Sequence, residues 1–135
     1  MTADSIDFTI RKWVRPEDLN ANGMLFGGVL LQWIDAEAAI FAVLQLGNDR
    51  IVTKFMSEIN FEATAGQGDI IEMGIAVTAL GRTSITLRVQ VRNMISRKTI
   101  LTMEKIVFVN LGDDGRPAPH GFSAPTRGTE RLPLG

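Results

Sequence analysis

Apolar and polar residues follow two rhythms along this chain. From Phe26 to Leu46 apolar side chains occupy almost every bearing of a 3.6-residue turn. The stretch has no proline and is rich in Ala, Leu and Gln, which predicts one helix over residues 26–46. A helix apolar all round has no face to offer water, so enclosure is expected. Its length would also suit a bilayer, but a carboxylate at Asp35, near its middle, is costly in lipid. The expectation is a core helix wrapped by sheet and closed by Gly47 as C-cap.

The second rhythm has period two. Phe8 to Val14 reads as a short strand, ended by Arg15-Pro16. A glycine-containing loop over residues 20–28 leads into the helix. Beyond the helix come four strand-like runs. In residues 51–62, Ile51, Phe55, Ile59 and Phe61 share one face; in 70–80, Ile71, Met73, Ile75, Val77 and Ala79 do. The clearest alternation is in residues 83–93, where Ile85, Leu87, Val89 and Val91 interleave with polar neighbours, and residues 99–111 form the last run. The short turns between runs permit only antiparallel neighbours. The fold class is therefore α+β, an antiparallel sheet curled around one long helix. Apolar residues left on the opposite faces, at Val52, Met56, Ile70, Ala76 and Leu80, point to a second subunit covering part of the outside. From Arg116 the chain is rich in Pro and Gly without pattern. The reading is a single domain over residues 1–119 and an irregular tail over 120–135, loose or held by a partner.

Composition removes several functions. The chain has 135 residues, enough for one domain, and a net charge of −1 from 14 basic and 15 acidic residues. There is no basic footprint for nucleic acid. With no cysteine there is no disulfide, thiolate nucleophile or Cys-ligated metal, and zinc lacks a ligand set, so no metal site is expected. The start, Met1 to Asp7, is acidic and lacks the apolar segment of a signal peptide; a cytoplasmic protein with no membrane partner is expected. The sole histidine, His120 between Pro119 and Gly121, reads as a solvated tail residue, which argues against a Ser-His-Asp triad. No Gly-Lys-Ser/Thr follows the glycines of residues 23–28, so they form no P-loop.

What remains is Asp35 and the glycine-flanked helix start. At about 100° per residue Asp35 shares a face with Gln32 and Gly28, while Glu37 points the opposite way. A helix N-terminus offers unpaired N–H groups suited to an oxyanion, and a carboxylate further along can take a proton from water. Together they suit attack of water on an activated acyl group. On the residues alone, Asp35 is equally a structural acid bonded to backbone or to a partner chain.

The pattern Pro16, Asp18, Asn20, Asn22-Gly23, Phe26-Gly27-Gly28, Gln32 and Asp35 resembles the signature of the hotdog-fold acyl-CoA thioesterases, in particular the bacterial acyl-CoA hydrolase branch. The similarity continues through Ile51-Val52-Thr53, Ile59-Asn60-Phe61, Gly68-Asp69, Gly81-x-Thr83-Ser84 and Phe108-Val109 to Gly115-Arg116-Pro117. The resemblance implies a sheet wrapped around the helix and homodimers with the active site at their interface, assembled further into hexamers (trimers of dimers) or tetramers. It implies acyl-CoA as substrate and no cofactor. Asp35 falls on the family's general base or nucleophile, the Gly28 N–H on the group that polarises the thioester carbonyl, and Asn22 on the pocket border. Arg82, Thr83 and Ser84 match the segment along the CoA arm, whereas Arg88 and Arg92 read as a solvated strand face. Met24, Ser57 and Thr64 depart from residues common in the family. Two rivals stand beside hydrolysis: a hotdog module that binds acyl-CoA without turnover, as sensor or regulator, and a hotdog dehydratase, which would want a histidine. Trp33, Phe55 and Met56 are candidate pocket walls or plain core.

Overall fold

The computed structural model describes residues 6–133. The acidic lead at residues 1–5 and the last two residues of the tail lie outside the described residues. The elements in chain order are β1 (Phe8–Trp13), a 3₁₀ turn (Pro16–Asp18), α1 (Gly27–Leu46), β2 (Ile51–Met56), β3 (Asn60–Phe61), β4 (Ile70–Leu80), β5 (Ser84–Asn93) and β6 (Thr99–Asn110). The strands form one antiparallel sheet in the order β1-β4-β5-β6-β2, with β3 pairing on β6 ahead of β2. One helix on one antiparallel sheet is the expected α+β arrangement.

The period-two runs explain the core. Ile85, Leu87, Val89 and Val91 are each fully buried on one face of β5, and Ile71 and Met73 of β4 lie beside them. Leu101, Met103, Ile106 and Phe108 of β6 complete that face. Against it α1 lays Leu30, Ile34, Ala38, Ala42 and Leu46. Each large aliphatic side chain buried there contributes about 1.5–3 kcal/mol. The left-handed Gly47, with φ 75°, ends the helix, and its N–H donates to the Val43 carbonyl.

Two expectations need correction. The run at 51–62 is not one strand. The pairing of β2 with β6 shifts between Thr53 and Phe55, and the strand ends at Met56. Ser57 makes the last contact, its N–H donating to the Lys105 carbonyl at 2.8 Å and its hydroxyl accepting the Lys105 N–H at 3.1 Å. The shift brings side chains of both parities out to solvent, and Val52, Thr53 and Phe55 are all exposed. The sheet wraps α1 as expected, but on one side only, so full enclosure is not reached. Gly28, Gln32, Ala36 and Ile40 form an exposed stripe opposite the buried one, with Ile40 56 % exposed. A single sheet reaches only one side of a cylinder about 10 Å across. α1 is long and apolar enough for a membrane span, yet it is the core helix of this domain.

The tail after Pro119 contains no helix or strand among its described residues, but it is not loose. The Gln45 carboxamide pairs with Thr126, donating to its carbonyl at 2.8 Å and accepting its N–H at 2.9 Å. Arg131 donates to the Gln45 carbonyl at 2.9 Å and lies 4.0 Å over the Phe122 ring. Polar anchors fix a segment whose composition carries no periodic signal.

Far from the helix, on the sheet's other face, Glu72 of β4 is buried between Arg92 at 2.7 Å and Arg11 at 3.4 Å, with Arg92 stacked 3.7 Å over Phe8. Burial pushes the Glu72 carboxyl up, but the two guanidiniums outweigh it and hold it below the usual range. Trp13, at the end of β1, is 67 % exposed.

Candidate active site

The site is built first by the loop that feeds α1. The buried Asp18 carboxylate accepts the Arg15 side chain at 3.1 Å on each oxygen and the Arg15 N–H at 2.9 Å. The Arg15 bond is the main reason its carboxyl sits below the ordinary range. The Asp18 carbonyl in turn accepts the Phe26 N–H at 2.8 Å. Asn20 closes the turn between them. Its side-chain oxygen accepts the N–H groups of Asn22 and Met24, and its own N–H donates to Met24 O at 2.7 Å. Gly23 adopts φ 76°, which favours glycine.

This loop delivers an uncapped helix start. Phe26, the N-cap, gives no side-chain cap, no acid lies in the first turn, and the first backbone bond is Leu30 N–H to Phe26 O at 3.1 Å. The N–H groups of Gly27, Gly28 and Val29 therefore have no acceptor within the helix. A Cβ on Gly28 would stand 2.9 Å from the Phe26 ring, and one on Gly27 3.3 Å from the Phe61 ring. Glycine is needed here because two aromatic rings rest on the backbone.

Asp35 is half-buried on the outward side of α1, and its Oδ1 accepts the Thr53 hydroxyl at 2.9 Å. Glu37 faces the other flank and pairs with Lys12 of β1 at 3.5 Å. Thr53 is the contact of Asp35 that sequence reasoning missed. The resemblance included it, and simple alternation with Ile51 turns its hydroxyl toward Asp35, ahead of the register shift in β2. α1 runs without a break from residue 27 to 46, so Asp35 and Gly28 are about 10 Å apart along the axis at 1.5 Å per residue. One protomer cannot place both on a single carbonyl.

Of the other expected residues, Asn22 is exposed on the rim of a cleft of about 330 Å³ beside Gly27, walled by Met24 and Phe61. Arg82, Thr83 and Ser84 are not brought to Asp35 within the protomer. They form the turn into β5, and β6 separates them from β2, since Val109 pairs with Ser84 on one side and Val52 on the other. Arg82 is exposed, and the tail covers its carbonyl and that of Ser84, which accept from His120 N–H at 3.3 Å and lie 3.0 Å from His120 Nε2. His120 is thus no solvated residue. Its Nδ1 accepts the Phe122 N–H at 3.1 Å, so Nε2 carries the proton and donates to Ser84 O. Arg88 and Arg92 are ion-paired, with Glu104 at 3.0 Å and Glu72 at 2.7 Å, rather than free on a solvated face. Trp33, Phe55 and Met56 do not line the cleft; Trp33 and Met56 pack on the core and Phe55 is exposed. A larger groove, about 570 Å³, lies between the end of α1 (Phe41, Leu44), β4 and the tail, and contains neither Asp35 nor Gly28. Chemistry rather than size assigns the site. Among the described residues no cluster of His, Asp and Glu could hold a metal ion.

An antiparallel sheet around a long helix, with glycines at the helix start and a carboxylate two turns on, defines a hotdog-type acyl-transfer fold. A family model described as the thioesterase superfamily matches residues 22–99, and the chain belongs to that superfamily. It is 28 % identical over 119 residues to the acyl-CoA thioester hydrolase YciA of Salmonella typhimurium, covering 84 % of this chain and 89 % of that one. The hexameric thioesterase y2039 of Yersinia pestis superposes with TM-score 0.76 at 27 % identity, covering 84 % of this chain and 93 % of that chain. An acyl-CoA hydrolase of Staphylococcus aureus, solved with butyryl coenzyme A and coenzyme A, superposes with TM-score 0.72 at 29 % identity, covering 82 % and 66 %.

Proposed function

We propose that this protein hydrolyses acyl-CoA thioesters to the free acid and CoA, in an assembly whose smallest working unit is a homodimer. The observation that carries the reading is the pair of parts on α1: three N–H groups left without helical acceptors at Gly27–Val29, and the Asp35 carboxylate on the same open side. The thioester carbonyl oxygen sits on the Gly28 N–H, and water or Asp35 itself attacks the carbonyl carbon. With Asp35 as general base, it takes the proton of water as the C–O bond forms, the oxyanion is held by the helix start, and collapse expels the CoA thiolate. The proton on Asp35 then passes to the thiolate. Thr53 fixes the Asp35 carboxylate by donating to Oδ1. A fixed donor at an oxyanion is worth about 10²–10³ in rate.

The spacing along α1 supports a site shared by two protomers, the carboxylate from one and the glycine end from the other. The exposed stripe of α1 and the open edge of β2 are the surfaces such a pairing would cover. Further assembly to a hexamer agrees with the Yersinia relative, which is named as hexameric. Arg82, exposed at its turn, takes the phosphate end of CoA, with Thr83 and Ser84 along the arm, and no cofactor takes part. The role of α1 as a core helix supports a protein working in solution, and a cytoplasmic address is part of the proposal.

The test is purified Asp35→Asn against a panel of acyl-CoAs with a thiol-reactive dye. Losing a positioned base lowers the rate about 10²- to 10⁴-fold. An unchanged rate would remove the assignment.

A further inference from the structure

The cleft beside Gly27 is not explained by the fold. Its floor is core: Leu30, Ala65 and Ile100, each at most 2 % exposed. Its rim leaves two large apolar side chains in solvent, Met24 at 40 % and Phe61 at 51 %. The polar side chains among its lining are those of Asn20, Asn22 and Thr64. Gly27 is both a wall of the cleft and a member of the free N–H set.

We infer that this cleft receives the acyl chain, and that Met24, Phe61 and Ala63 set its length. The inference rests on the hydrolase reading above. A carbonyl oxygen held at the helix start leaves its carbon with two substituents. The sulfur carries a charged, hydrated arm and faces solvent, while the alkyl chain goes where water is already excluded. The cleft floored by Leu30 and Ile100 is the apolar opening that includes part of the glycine end. The exposed stripe of α1 competes as a path, but it is convex and offers contact on one side only. A space of about 330 Å³ holds roughly ten non-hydrogen atoms at about 30 Å³ each. Acyl groups of up to about ten carbons fit by that measure, and longer ones must protrude past the rim. Met24 shares the exposed rim with Phe61, so its apolar character serves the substrate rather than the core.

The experiment compares kcat/KM for butyryl-, octanoyl-, dodecanoyl- and palmitoyl-CoA across wild type, Ala63→Leu, Met24→Ala and Phe61→Ala. Inhibition by free CoA and the thermal midpoint are followed in each. Wild type should favour the first two substrates. Ala63→Leu fills the cleft and should lower the octanoyl-to-butyryl ratio about tenfold or more, the scale of a mismatched methylene in an apolar pocket. Met24→Ala and Phe61→Ala open it and should raise the dodecanoyl-to-butyryl ratio by a similar factor, with CoA inhibition unchanged. Turnover with the same chain-length profile in all four folded proteins overturns the cleft assignment alone. No thiol release by wild type from any of the four substrates overturns the hydrolase reading, and this inference with it.

Discussion

The two ends of α1 are finished in opposite ways. At its C-terminus the backbone turns off and the last groups find partners. Gly47 takes the left-handed conformation, Arg131 reaches the Gln45 carbonyl, and Thr126 pairs with the Gln45 carboxamide. At its N-terminus there is no side-chain cap and no acid in the first turn, and three N–H groups are left without helical partners. A side-chain cap of Ser, Thr, Asp or Asn stabilises by about 1 kcal/mol. The sequence places Phe26 there instead. One end is satisfied within the chain and the other leaves its N–H groups open, so on the proposed function substitutions at the two ends should separate stability from rate.

The largest effect is expected at the glycine end. Gly28→Val drives a side chain into the Phe26 ring and blocks the amide. Turnover should fall about 10²- to 10³-fold, with little change in melting temperature. If Gly28 and Asp35 of different protomers form each site, an equimolar mixture of Gly28→Val and Asp35→Asn subunits, refolded together, should recover about a quarter of wild-type activity through dimers with one intact site. Recovery no greater than that of the separate variants would overturn the shared site.

Next in size is Gln45→Leu, which leaves the Thr126 N–H and carbonyl without partners. It should cost about 1–3 kcal/mol, read as a lower denaturation midpoint, while turnover per folded molecule stays near wild type. Gly47→Ala meets both a left-handed backbone and the Arg131 carbonyl oxygen, 2.5 Å from where its Cβ would lie. About 1–2 kcal/mol should be lost, again without loss of rate.

The smallest effect comes from a site belonging to neither end. The Glu72 carboxyl is held below its ordinary range, so its contribution is present above about pH 4.3 and is lost as pH falls through the depressed folded value. Glu72→Gln should therefore be less stable than wild type at neutral pH by about 1 kcal/mol. Denaturant titrations should show that gap closing between pH 5 and pH 3. A constant gap across that range would mean the ion pairs contribute nothing.

How much of this was legible in the sequence follows from which interactions are local. The strand alternation in residues 83–93 and the helix with its Gly47 stop depend on neighbours a few residues away, and both are found within a residue of the expected bounds. The break after Met56 was hidden, because Ile51, Phe55, Ile59 and Phe61 keep a two-residue rhythm across it while Ser57 bonds to Lys105, 48 residues on. The docking of the tail was hidden for the same reason. Gln45 meets Thr126 across 81 residues, and neither residue type announces a partner. Asp35 stood out by its apolar surroundings, but Thr53 did not, since it meets Asp35 only where β2 packs beside α1, 18 residues on. The enclosure expected for α1 cannot be completed within one chain. Sequence periodicity records that a face is apolar, not whose surface covers it.

The chain contains two tryptophans and no tyrosine. Trp13 stands in water at the end of β1, whereas Trp33 is half-buried on α1, two positions before Asp35. Replacing Trp13 by Phe leaves a single indole whose emission arises from the helix that carries the carboxylate, so a change in colour or intensity on adding CoA would report from that helix without any attached dye.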